Sequence, residues 1–368
     1  MTHFCTLFDK NYLSRGLALH ESLTQQTSDF LMFILCLDEF TYTYLKGQSL
    51  ANVALIPIAE LEKNDKALAH CRHNRELVEY YFTISPCLPL YLLKKYPSIP
   101  SICSIDADLY FYQNPIDILK PFNDYSILIT SHNFSPDIGK HWYDTGIYNV
   151  CFQAFRNNAV GLDCLENWRK DCINWCCNHY DARNDRFADQ KYLEKWTTLY
   201  GDKLMVLENA TSNVAIWNVN QFALSSTQKG IFSNNQPLVF YHFSNVKIVN
   251  AYLIQCGFYW PQTKTNKVLL HDIYLPYIKK LSAFNTQIFG TATDPLFQNE
   301  PTKRLGLIRR AMRDRALLFV FMPIKAIIYF DFSWINDAYQ SIRDFFAQRK
   351  KEHFPSRQSV LTYQKNEK

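Results

Sequence analysis

HFCTLFDKNYLSRGLALHESLTQQTSDFLMFILCL, residues His3 to Leu37, reads as strand, helix and strand in turn. His3–Phe8 has strand character. Tyr12–Thr24 carries Leu13, Leu17, Leu19 and Leu23 on a helical spacing, and Phe30–Leu37 is a continuous apolar run, as in a parallel strand buried on both faces. The alternation continues outward through a helical segment, a short strand near Val53–Ile56 and a helical stretch Arg75–Tyr96. Within that stretch Pro86 and Pro89 predict a break. Ile102–Phe111 is a further strand. Repeated βα units predict an open, mostly parallel sheet with helices on both faces. Ligands in such sheets sit beyond the carboxyl ends of the strands, so Thr6–Asp9 and Asp106–Asp108 are expected side by side.

The 368 residues are 48% apolar and 20% charged, which excludes global disorder, and 10 glycines with 15 prolines exclude collagen-like chains. The net charge of +5 is unevenly placed. From Thr302 onward there are 14 Lys/Arg against 6 Asp/Glu, leaving 25 against 28 in the first 301 residues. A slightly acidic body with a basic tail excludes a nucleic-acid binder and points the tail at an anionic surface such as a membrane. Residues 1–301 read as one α/β body with no linker or repeat. Residues 302–353 are expected to form a basic and apolar helical extension, and 354–368 a polar, disordered tail.

Within the extension, Lys303, Arg304, Arg309, Arg310, Arg313 and Arg315 outnumber the single acid Asp314 before the apolar run Ala316–Ile335. Pro323, Lys325 and Asp331 argue against a membrane span and for a helix lying in the interface, with packing on the body as the alternative. The chain opens without a secretory signal pattern, since Asp9, Lys10 and Arg15 interrupt any apolar run. Its 11 scattered cysteines do not form a disulfide framework. Cys172, Cys176, Cys177 and His179 cluster, but no second ligand pair follows at zinc-ribbon spacing, so reduced, mostly buried thiols are expected. Together these features place the protein in a reducing cytoplasm, peripheral to the inner face of the membrane.

The chemistry is concentrated in Ser104-Ile105-Asp106-Ala107-Asp108-Leu109-Tyr110-Phe111. Carboxylates at i and i+2 of a strand point the same way, and two like charges held together want a cation between them. Hard oxygen ligands suit Mg²⁺ or Mn²⁺, completed by substrate phosphates and water. An isolated Asp-x-Asp also occurs in ordinary turns.

Further stretches come in order along the chain. They are Thr6–Leu13; Arg75 with Glu79–Pro86; Gly146–Phe152 followed by Phe155-Arg156-Asn157; Arg186–Leu193; Asn213–Asn218; and Tyr241–Lys247. With the Asp pair, residues 3–247 resemble bacterial glycosyltransferases of the GT-A fold, in particular the family-8-like nucleotide-diphospho-sugar transferases of polysaccharide and lipopolysaccharide clusters. The resemblance implies a metal site of Asp106, Asp108 and His242. It implies donor contacts from Thr6, Asp9, Asn11, Tyr12, Asp106, Ala107, Asn149, Asn218 and Lys247, with Asp189 and Gln190 at the reacting sugar. It departs at Cys151, where a small residue is usual, and at Asn245, where glycine is commoner.

The implied activity is transfer of a sugar, with retention, from a nucleotide-diphospho-sugar (a UDP-sugar foremost) to a glycan or glycolipid acceptor at the cell surface, with Mn²⁺ or Mg²⁺ as cofactor. Plainer roles stay open for single residues: Asp9 as a helix cap, Asp189 as a helix N-terminal charge and His242 as a satisfied core histidine. A nucleotidyltransferase would need a Gly-rich phosphate loop where this chain has Phe8-Asp9-Lys10-Asn11. A non-catalytic carbohydrate-binding or scaffold protein on the same fold is the rival from another class.

Overall fold

The computed structural model describes residues 1–136, 138–250, 253–256, 266–298, 316–321 and 326–331. Its frame is a seven-stranded sheet. The strands of the first two-thirds of the chain are β1 (Thr2–Phe8), β2 (Phe30–Cys36), β3 (Val53–Pro57), β4 (Ser101–Ile105), β5 (Leu109–Phe111), β6 (Ile127–Ser131), β7 (Tyr148–Arg156) and β8 (Leu204–Leu207). All but β5 join the sheet, in the order β3-β2-β1-β4-β7-β6-β8. β7 runs antiparallel to both neighbours and the other pairings are parallel. This agrees with the expected open, mostly parallel sheet flanked by helices.

The helices follow the strands. They are α1 (Leu13–Gln26), α2 (Glu39–Gln48), α3 (Ile58–Asn64), α4 (Lys66–Cys71), α5 (Leu77–Lys95), α6 (Ile116–Leu119), α7 (Ala159–Asn174), α8 (Trp196–Tyr200), α9 (Leu275–Phe289) and α10 (Pro295–Gln298). Strand alternation divides the core. Cys5, Phe33 and Leu35 face the α5/α7 layer with Ile84, Leu88 and Trp168, while Phe4, Met32 and Ile34 face α1 with Leu13, Leu17 and Leu19. Both faces of β2 are therefore covered, as its unbroken apolar sequence requires. At Gly16 a Cβ would stand 2.3 Å from the Phe8 ring, which is why α1 can lie close to the end of β1.

The break expected at Pro86 and Pro89 does not occur. α5 runs through both prolines. Interior prolines each remove a helix hydrogen bond and cost about 3 kcal/mol. Here the cost is offset by burial, because Ile84, Pro86, Cys87, Leu88, Pro89, Leu92 and Leu93 all lie in the core. An α5 capping box at Glu76 and Glu79 fixes the helix start.

Beyond β8 the chain builds small antiparallel pieces: β9 (Leu224–Thr227), β10 (Gly230–Ser233), β11 (Gln236–Pro237), β12 (Phe240–His242), β13 (Val246–Ile248) and β14 (Leu253–Cys256). They pack with α9 around a second core containing Trp217, Tyr241, Phe243, Tyr274 and Tyr277. The extension differs from expectation. Its apolar run, read as helical, is extended over β15 (Ala316–Phe321) and β16 (Ala326–Asp331), which add to β14 as an antiparallel hairpin. Alternation-free apolar runs of this length suit strand or helix, and the free edge of β14 selects the strand. The basic segment 303–315 and the tail 354–368 lie outside the described residues. No helix among the described residues is long and apolar enough to cross a membrane.

Gly161, in the first turn of α7, offers a test of this packing. A Cβ there would stand 2.1 Å from the Arg156 carbonyl oxygen, a backbone atom. Gly161→Ala is expected to lower stability by roughly 1–3 kcal/mol, read as a lower urea midpoint at unchanged m-value.

Candidate active site

Asp106, Ala107 and Asp108 form the tight turn between β4 and β5. Their carboxylates converge through this turn and not through strand alternation, which corrects the i, i+2 expectation. The Asp106 amide donates to the Cys151 carbonyl on β7 at 2.9 Å, continuing the β4 ladder, and Leu109 then folds back toward the Asp106 carbonyl at 3.4 Å. β5 leaves the main sheet and pairs antiparallel with β12, setting His242 opposite Leu109. The Phe243 amide donates to the Asp108 carbonyl at 3.0 Å and the His242 amide to the Val214 carbonyl at 2.9 Å. His242 Nε2 consequently lies 3.1 Å from Asp108 Oδ1 and 3.9 Å from Asp106 Oδ2.

One ligand atom from each of the three residues falls within 4.8 Å of the others. Two carboxylates and an imidazole are a donor set for Mn²⁺ or Mg²⁺ with positions left for phosphate oxygens. The Asp106 side chain is 41% exposed and forms the open side, while Asp108 and His242 form the closed floor. The electrostatics suit a cation. Partial burial and then the Asp108 charge raise the Asp106 carboxyl above its ordinary value. Burial also raises Asp108, but His242 and Arg15 outweigh it and hold that carboxyl below its ordinary value. Burial works against the His242 cation, yet Asp108 and Asp106 raise it.

The end of β1 lies beside this turn, since β1 pairs directly with β4 through Phe4–Cys103 and Cys5–Ser104. Asp9 is buried and its carboxylate accepts from the Asn11 amide (2.9 Å), Asn11 Nδ2 (2.8 Å) and Tyr81 Oη (3.3 Å). It thus ties β1, α1 and α5 together at one rim. Thr6 Oγ1 is buried with no hydrogen-bond partner. Tyr12 is partly exposed at the start of α1 and its ring is covered on one side by Arg15. Ala107 is buried, and Lys247 is half-buried on β13.

A second wall comes from β7 and the segments after α7 and β8. Asn149 is buried, with Oδ1 accepting from the Cys151 amide (2.9 Å) and Nδ2 facing His132 Nε2 (2.8 Å). Asp189 is buried, with Ser85 beside its carboxyl; one oxygen, Oδ2, has no hydrogen-bond partner. Gln190 donates to the Thr145 carbonyl at 2.7 Å. The helix expected after Asp189 begins as a 3-10 turn, Lys191–Lys195, before α8. Ala188 sits at φ 45°, a conformation costly for any residue with a Cβ. Asn218 points inward, donating to the His132 and Asn213 carbonyls and accepting from the Ala215 amide. Both of its amide hydrogens brace the loop, and Oδ1 keeps one lone pair.

Other sequence signals resolve as structure. Arg75 binds Thr83 and the Cys172 and Ile173 carbonyls, clamping α5 to α7. Cys172 and Cys176 are buried in the core. Cys177 and His179 approach Glu79 instead. Asn245 adopts φ 62°, the left-handed geometry that glycine would supply, and asparagine tolerates it. The stretch Glu79–Pro86 contributes Tyr81 to the rim, whereas sequence reading missed His132 and Arg15, whose decisive partners Asn149 and Asp294 lie far along the chain. Arg15 is buried against Asp294, with Nη2 2.7 Å from Oδ2, and its Nη2 also reaches the Val246 carbonyl at 2.6 Å.

No protein-family model matches the chain. The uncharacterized protein YfnF of Bacillus subtilis strain 168 is 30% identical over 285 residues, covering 75% of this chain and 92% of YfnF. The chain belongs to the YfnF family. YfnD of the same organism is 26% identical over 292 residues, 79% of this chain and 92% of YfnD.

Among solved structures, mouse xyloside xylosyltransferase 1 matches 66% of this chain and 98% of its own at 14% identity and a TM-score of 0.45. The galactosyltransferase LgtC, solved with donor and acceptor sugar analogues, matches 66% and 87% at 13% identity and a TM-score of 0.44. The glycosyltransferase GlyE of Streptococcus pneumoniae TIGR4 matches 78% and 64% at 13% identity and a TM-score of 0.43. At these values the chemistry of this YfnF-family chain has to be argued from its own residues.

Asp189 supplies a pH test. Burial pushes its carboxyl up to about 6, so the folded state binds a proton that the unfolded chain has released. Stability from this group is full below the unfolded carboxylate range and is lost as pH rises through about 6, at a cost of up to ~3 kcal/mol. Asp189→Asn should therefore melt higher than the wild type at pH 8 in chelator, with the gain vanishing near pH 4.

Proposed function

We propose that this chain is a metal-dependent glycosyltransferase that moves a sugar from a nucleotide-diphospho-sugar, UDP-sugars foremost, onto a glycan or glycolipid of the bacterial surface. The observation that carries the reading is the convergence of Asp106, Asp108 and His242 at the edge where β1 and β4 end side by side. Asp106 and Asp108 would hold Mn²⁺ or Mg²⁺ with His242 Nε2. A cation bound there neutralises charge developing on the departing diphosphate.

The rest falls to the protein. The rim built by Asp9, Asn11, Tyr12 and Tyr81 receives the nucleoside. Thr6 Oγ1, buried and without a partner, is available to the donor from below. Lys247 is assigned to the diphosphate. Asn149 retains one amide hydrogen and one lone pair for sugar hydroxyls after its two internal bonds. Asp189 Oδ2 is a buried acceptor without a donor, a costly arrangement that a sugar hydroxyl or positive charge at the anomeric carbon would relieve. Gln190 is held by the Thr145 carbonyl so that its remaining oxygen can face the ring. The resemblance to family 8 implies retention, with the acceptor attacking from the leaving-group face. The basic tail would keep the protein at the inner face of the cytoplasmic membrane, where lipid-linked acceptors are extended.

The binding-protein alternative drew on Cys151 and Asn245. Cys151 is buried in a hydrogen-bonded position behind the site, and Asn245 holds the left-handed backbone of a glycine. Neither residue blocks the cleft, which favours the enzyme.

The test is nucleoside diphosphate release from a panel of nucleotide sugars with Mn²⁺, with Mg²⁺ and with chelator, beside Asp108→Asn. One donor should turn over in metal, stop in chelator, and fall at least about a hundredfold in the variant. Absence of both turnover and metal-dependent donor binding would remove the enzyme reading and leave the binding protein.

A further inference from the structure

Asn213 sits behind the candidate metal ligands without being one of them. It is buried at 1% exposure in the left-handed conformation, φ 54°. Its Nδ2 donates to the Ser131 carbonyl at 3.0 Å, which fixes the amide orientation and leaves Oδ1 turned the other way. Oδ1 meets two groups: His242 Nδ1 at 3.4 Å and Cys151 Sγ at 3.3 Å. An amide oxygen only accepts, so both partners must donate to it. The imidazole then carries its hydrogen on Nδ1, and Nε2 is the nitrogen presented to Asp106 and Asp108.

The support around Asn213 is unusually complete. Asn218 Nδ2 binds the Asn213 carbonyl at 2.8 Å, and the next residue, Val214, bridges to Tyr241 beside His242. Trp217 closes the opposite side, its ring perpendicular to His242 with centroids 5.1 Å apart. Cys151 is wholly buried, and because the amide oxygen it faces only accepts, its Sγ supplies the hydrogen. The Cys151 amide in turn is held by Asn149 Oδ1. A continuous chain of bonds therefore runs from Asn149 through Cys151 and Asn213 to His242.

We infer that Asn213 is the positioning residue for His242, fixing the Nδ1–H tautomer so that Nε2 faces the cation, and that Cys151 aligns the Asn213 amide for this task. Partners of a ligating histidine's second nitrogen commonly change metal affinity 10–100-fold. The inference rests on the metal reading above but concerns residues that touch neither metal nor sugar.

The test is Mn²⁺ binding to the full chain, followed by the electron paramagnetic resonance of free Mn²⁺, together with melting in chelator. Asn213→Ala should weaken binding about 10–100-fold. Cys151→Ala should weaken it by a smaller factor, and Cys151→Ser, which keeps a donor, should restore it. Wild-type affinity in Asn213→Ala would overturn the inference, as would equal losses in Cys151→Ala and Cys151→Ser.

Should Asn213→Ala fail to fold, ¹⁵N-histidine spectra of the Mg²⁺-loaded wild type decide instead. Protonation at Nδ1 of His242 supports the inference and protonation at Nε2 overturns it. Asp108→Asn separates the two levels. If it binds Mn²⁺ like the wild type, the metal reading itself fails; if it loses binding while Asn213→Ala does not, only the positioning role fails.

Discussion

The site depends on a ladder of three residue pairs. β5 and β12 meet through Phe111–Phe240, Tyr110–Tyr241 and Leu109–His242, and this pairing brings the histidine to the two aspartates. Side chains alternate along each strand, so a slip of one residue in this pairing would turn His242 away from Asp108. The register is secured by packing on both sides. Phe111, Phe152 and Phe240 interlock beneath the main sheet, and Tyr241, Phe243, Tyr274 and Tyr277 interlock above α9. The aromatic richness of the chain has a location here. It sets the alignment of a short two-stranded ribbon that would be unstable alone.

What the sequence made legible follows from where its information is local. The βα alternation showed both the sheet and the edge at which ligands gather, because apolar periodicity reflects burial at each position. Asp106 and Asp108 were visible because they are neighbours. Their geometry was misjudged, since a turn and a strand end look alike in four residues. His242 came only through resemblance to a family, as no local pattern ties it to residues so far upstream. His132 and Arg15 were invisible for the same reason: each is defined by partners elsewhere in the fold.

The prolines of α5 failed in the opposite sense. Their local cost was read correctly and the tertiary packing that offsets it could not be. The apolar run near the end shows a third kind of limit, because its composition fits helix and strand equally and the choice is made by a neighbouring strand edge.

The buried pair Arg15–Asp294 joins residues 279 apart, and it also carries Asn285 Nδ2 and the Ile248 amide on the same carboxylate. Removing one member of such a pair leaves a stranded charge at a cost of about 3–5 kcal/mol. Arg15 belongs to the helix that follows the first strand, beside the nucleoside rim. A nascent chain therefore emerges with its first βα unit unfinished, and that unit is neutralised only when almost three hundred residues have been made. Completion of the rim is in this way tied to a residue far downstream, so a chain that stops short of Asp294 would leave the Arg15 cation without the carboxylate that balances it.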